Sequence, residues 1–130
     1  MMYLDHSAIV AVLQKRAGWE DVARRIEDHQ GKLIISPLSV CAAVTAIAGT
    51  SPTPGAIGEA ADIVTVFLKE ASVQQITLST AQTRAALEAQ QAHLSKTKGN
   101  PLSLDEMLIL GAAQTFRAGV LATGGRFADL

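Results

Sequence analysis

Residues 1–16 read MMYLDHSAIVAVLQKR, and the parsing of this stretch decides the fold. Met2, Tyr3 and Leu4 form a short apolar run suited to a buried strand. From about Ser7, the apolar positions Ile9, Val10, Val12 and Leu13 fall at helical spacing, with Ser7 as a candidate N-cap. A strand that hands over to a helix within a few residues opens a β-α unit. Asp5 and His6 then sit at the strand's carboxyl end, the side on which open parallel sheets gather their chemistry.

The pattern repeats along the chain. Gly18 breaks the first helix, and a second places Trp19, Val22, Ala23 and Ile26 opposite a charged face. Gly31 ends it, and KLIIS reads as a second buried strand. In SPLSVCAAVTAIAG, Ser36 is placed to cap, Pro37 to start and Gly49 to stop a helix apolar nearly all round, with Cys41 as a buried side chain. TSPTPGAIG is expected to be a loop. A helix from about Ile57 to Ala71 turns Ile57, Ala60, Ala61, Val64, Phe67 and Leu68 to the core. VQQITL is the third strand; Ser79 and Gln82 have capping-box spacing before the next helix. LSKTKGNP is a basic loop, SLDEMLILGAAQTF a helix with Ser103 and Glu106 at capping-box spacing, and GVLAT the last strand. Alternating strands and helices predict an α/β domain, with a parallel sheet of about four to five short strands flanked by helices.

Composition narrows the classes. The 130 residues, 48% of them hydrophobic, are enough for one domain with one core, over 1–130. Five aromatics leave that core to Ala, Val, Ile and Leu. A net charge of −1 gives no global attraction to nucleic acid. The lone Cys41 fits a reducing compartment, and neither a signal peptide nor a membrane helix is apparent, so a cytoplasmic location is expected. Lys96 and Lys98, with Arg84 and Arg117, either hold a phosphate backbone or form a solvated surface.

Four blocks, MYLDHSAIVAVL, ISPLSVCAAVTAI, LSLDEMLILGAAQ and VLATGGRF, resemble in order and spacing those of PIN-domain proteins, most closely VapC-type toxins of toxin–antitoxin pairs. The resemblance implies a PIN-like three-layer fold and a Mg²⁺- or Mn²⁺-dependent endoribonuclease, commonly a homodimer, restrained by a small antitoxin. Each block of the family carries an acid, and hard divalent cations take oxygen ligands of this kind. The first acid is present as Asp5. Ala42 occupies the second position, Glu106 replaces the usual Asp of the third with Asp105 in place of a Gly, and Arg126 stands where the fourth acid belongs. Asp129 is the counterpart of a closing Asp in a slightly shorter segment. The resemblance thus gives Asp5 and Glu106 as catalytic residues and Asp5, Glu106, Asp105 and Asp129 as metal ligands.

Each residue also has a plainer role. Asp5 complements the dipole of the following helix, His6 lies on the rim, and Glu106 closes a cap without touching metal. Arg126 either pairs with Asp5 or Glu106 or extends to solvent. At about 6 Å from a divalent ion, with an effective dielectric of about 20, its charge opposes binding by roughly 5 kcal/mol. Two functions therefore stay open: a remnant ribonuclease, or a non-catalytic dimeric or antitoxin-binding module.

Overall fold

The structure, a computed structural model, describes residues 1–97, 99–123 and 127. Strand β1 (Met2–Leu4) lies inside a four-stranded sheet. It pairs in parallel with β2 (Leu33–Ile35) on one side and β4 (Gly119–Leu121) on the other, and β3 (Gln74–Gln75) extends the sheet beyond β2 in the same sense. The order is β3-β2-β1-β4. The connections carry helices α1 (His6–Leu13), α2 (Trp19–Asp28), α3 (Pro37–Ala48), α4 (Pro54–Glu70), α5 (Thr80–Lys96) and α6 (Leu104–Thr115). This is the expected α/β architecture. Alternation along the strands divides the core into two faces. Leu4, Leu33 and Ile35 pack with Ile9, Val22, Ile26, Val64 and Leu68, whereas Tyr3 and Ile34 pack with Ile76, Ile109, Ala112 and Ala113.

Several elements differ from the sequence expectation. Helix α4 starts at Pro54, inside the stretch read as a loop, because Thr53 caps it through a bond to the Ala56 N–H at 3.1 Å and Pro54 suits a first turn. Ile57 then lies on the outer face, 39% exposed. Strand β3 shrinks to two exposed glutamines at the sheet edge, although Ile76 beside them is buried and its N–H bonds to the Ile35 carbonyl. In α3 only Ser39 and Ala43 are buried, and Cys41 is exposed, since one side of this helix faces solvent. The Ser79–Gln82 box closes in one direction only: Ser79 accepts from the Gln82 N–H, while the Gln82 amide donates to the Thr77 carbonyl at 2.7 Å.

Beneath the carboxyl ends of β1 and β2, the fully buried Tyr3 hydroxyl meets Ser36 Oγ at 2.6 Å and Ser39 Oγ at 2.7 Å. Burial pushes the Tyr3 phenol up, against the opposing effect of both serine hydroxyls. This bond is why Ser36, at the N-cap position of α3, makes no side-chain cap. The triad pins the first turn of α3 to the sheet, one turn ahead of Ala42. Tyr3→Phe strands two buried serine hydroxyls, so it is expected to lower unfolding free energy by about 1–3 kcal/mol in urea denaturation with an unchanged slope.

Candidate active site

Asp5 follows β1 directly, and its backbone N–H donates to the carbonyl of Leu121, the last residue of β4, at 3.0 Å. The paired strands β1 and β4 therefore deliver the carboxylate to their shared carboxyl edge. Its side chain is the N-cap of α1: Oδ2 accepts from the Ser7 N–H at 3.1 Å and from the Ser7 hydroxyl at 2.6 Å. This corrects the assignment of the cap to Ser7, whose hydroxyl instead accepts from the Thr123 N–H at 3.1 Å. Ser7 thus ties the segment after β4 to the first acid.

Asp5 is only 3% exposed, and Oδ1 has no hydrogen-bond partner among the described residues. His6 Nδ1 lies 3.4 Å from it, within ion-pair range but without hydrogen-bond alignment. Burial pushes the Asp5 carboxyl up, yet the His6 ring and the Ser7 hydroxyl and backbone together outweigh it and hold the group below its ordinary range. The same pairing raises His6, against its partial burial, and the charge of Asp105 adds to that rise. Asp105 therefore stands near enough for its field to reach the ring. His6 is half-exposed, as a rim position requires, but it is also the neighbour of the site's buried acid.

Helix α6 brings the third block to the same side of the molecule by packing against β1 and β4. Its N-terminus is a complete capping box: Ser103 Oγ accepts from the Glu106 N–H at 3.2 Å, and Glu106 Oε1 accepts from the Ser103 N–H at 2.8 Å. Of the two roles open to Glu106, capping is the one its geometry displays. Asp105 is exposed in the first helical turn. The loop before this cap is strapped to α5. The Gln90 amide donates to the Leu102 carbonyl at 2.9 Å and accepts from the Leu102 N–H at 2.8 Å, and His93 Nε2 meets the Asn100 carbonyl oxygen at 2.8 Å.

Arg126, Asp129 and Lys98 lie outside the described residues. Lys96, Arg84 and Arg117 are exposed on separate parts of the chain. The hydroxyl triad below the site was not read from the sequence; its signal was a tyrosine in a buried strand, whose O–H needs a partner. The described donors do not make up a seat for a divalent ion. No group of three His, Cys, Asp or Glu side chains suited to a metal occurs among the described residues, Oδ2 of Asp5 is engaged by Ser7, and position 42 is alanine.

Parallel strands ordered β3-β2-β1-β4, with a buried acid at the end of β1 and a capped acid-bearing helix packed on the sheet, define an α/β domain with an acid at its carboxyl edge. The PIN domain family model matches residues 2–130, and the chain belongs to that family. It is similar to a VapC ribonuclease of Rhizobium meliloti (strain 1021), with 33% identity over 113 residues, 81% of this chain and 79% of that protein. Its fold is shared by Mycobacterium tuberculosis VapC20, a toxin that cleaves the sarcin-ricin loop, with a TM-score of 0.73 at 13% identity over 99% of this chain and 94% of that one. No helix among the described residues is long and apolar enough to cross a membrane.

Proposed function

We propose that this chain, as one domain over 1–130, is a VapC-type PIN protein derived from a Mg²⁺- or Mn²⁺-dependent endoribonuclease, in which the acid cluster is eroded and RNA hydrolysis impaired. The observation that carries the reading is how the remaining acids are used. Asp5 serves as a buried helix cap, and Glu106 Oε1 accepts the Ser103 N–H in a capping box. A nuclease of this kind needs several carboxylates free to converge on one cation. Ala42 removes one, and Arg126 brings a positive charge where another belongs.

Such a protein is expected in the cytoplasm, where RNA and a small antitoxin are its partners. A second copy of the chain is a further partner: Ile63 and Val66 stand one turn apart on the same side of α4, 46% and 53% exposed, which favours a binding module over a fully solvated surface. The double reversion Ala42→Glu with Arg126→Asp tests the reading on a labelled single-stranded RNA in Mn²⁺. The unchanged chain is expected to leave the RNA intact and the reverted chain to cleave it. Cleavage by the unchanged chain that disappears with Asp5→Asn would overturn the proposal.

A further inference from the structure

Strand β4 ends the sheet on one side, and among the described residues no strand pairs with its outer edge. The Gly119 N–H donates to the Met1 carbonyl at 3.2 Å, and the Leu121 carbonyl accepts from the Asp5 N–H at 3.0 Å. Residues of a parallel strand bond alternately to one side and to the other. Val120, between these two, therefore directs its N–H and C=O away from β1, and neither has a hydrogen-bond partner among the described residues. Natural sheets blunt such edges by shortness, charge or proline, and Gly119, Val120 and Leu121 offer only the first.

A groove of about 480 Å³ lies along this edge. Leu110, Ala113 and Gln114 of α6 line it with Phe127 and Ala122. Helix α6 packs on the Tyr3 face of the sheet, whereas α2 packs on the Leu4 face. From α2 comes Arg25, which also lines the groove. It is exposed and has no ion-pair partner among the described residues. The open main chain thus lies between an apolar wall and a cation that no described acid engages.

We propose that the outer edge of β4 is a docking site at which an extended, carboxylate-bearing segment of a partner protein adds as a further strand. Main-chain bonds to Val120 supply the attachment, and alternate side chains of the added strand enter the groove. Arg25 selects a carboxylate among them. This docking is independent of the acid cluster and goes beyond the functional reading.

The probe is a short blocked peptide of alternating threonine and valine with an aspartate at each end, titrated into the isotope-labelled full chain. Saturable binding is expected, with the largest amide shifts at Val120 and Ala122. The Val120 amide is expected to exchange readily in the free chain and about tenfold more slowly with peptide at ten times its Kd. Arg25→Ala is expected to weaken binding about two- to fivefold, and an asparagine version of the peptide loses the same factor on the unchanged protein but nothing further on that variant. Val120→Pro removes the outward donor at a place where an edge strand tolerates proline, and is expected to weaken binding about fivefold. If that variant does not fold, the exchange rate of the Val120 amide in the unchanged protein decides. No binding at millimolar peptide, shifts centred away from β4, or a Val120 amide already protected in the free chain overturns the proposal. So does concentration-dependent self-association that shifts Val120 without peptide, because the occupant is then a second copy of the chain.

Discussion

Gly111→Ala is expected to lower unfolding free energy by about 2–3 kcal/mol, which moves the melting temperature by roughly 6–10 °C. Gly111 sits in α6 where that helix crosses α5. A Cβ there would lie 2.5 Å from the Gln82 carbonyl oxygen, 2.8 Å from the Ala86 nitrogen and 2.9 Å from the Ala86 Cβ. Two of those atoms are backbone, so no rotamer change relieves the contact and the helices must separate. Separation loosens the packing around Ala86, which is buried against this crossing. Alanine's higher helix propensity returns only about 1 kcal/mol. Gly58→Ala in α4 is the matching control, because its Cβ would meet nothing within 4 Å. That variant is expected to be neutral or stabilising by up to about 1 kcal/mol. Paired urea titrations read the contrast, and equal midpoints for the two variants would contradict the close crossing.

Asp5→Ala is expected to destabilise the chain by about 2 kcal/mol, the combined effect of a lost N-cap and a lost charge-assisted bond to the Ser7 hydroxyl, partly offset by relief of carboxylate burial. The sign carries the information. In a cluster of mutually repelling carboxylates, neutralising one relieves strain and raises stability; here the acid is a structural cap, and its removal lowers it. The effect depends on pH in two directions. The Asp5 carboxyl is held below its ordinary value of 3.8, so its contribution is present above that value and is lost as pH falls through the depressed one. His6 is raised above 6.5, so its contribution is present below that value and is lost as pH rises through the raised one. The difference between the parent and Asp5→Ala is therefore greatest between about pH 4 and 6.5 and shrinks on both sides. Guanidinium midpoints of both proteins across that range measure it, and a variant more stable than its parent would contradict the cap role.

Much of this architecture is legible in local patterns. Short continuous apolar runs at MYL and LII mark two buried strands, Pro37 and Gly49 bracket α3, and Ser103 with Glu106 announces the cap that α6 carries. The position of Asp5 at a strand's carboxyl end follows from the same reading. What escapes it depends on distant neighbours. The edge strand β3 is short because little beyond Ile76 is buried there, Cys41 is exposed because one side of α3 meets no other element, and Gln82 turns to Thr77 rather than to its own cap. The Tyr3 triad joins residues more than thirty positions apart, and no window of sequence contains it. The cap at Asp5 was misassigned by two residues because serine and aspartate both suit that place, and only the backbone angles separate them.

The central claim is that the acids left at this sheet edge are committed to the protein itself rather than to a cation. Calorimetric titration of the unaltered chain with Mn²⁺ tests it most directly. The account predicts no saturable heat up to millimolar Mn²⁺. Binding of one or two ions per chain that Asp5→Asn eliminates would contradict it.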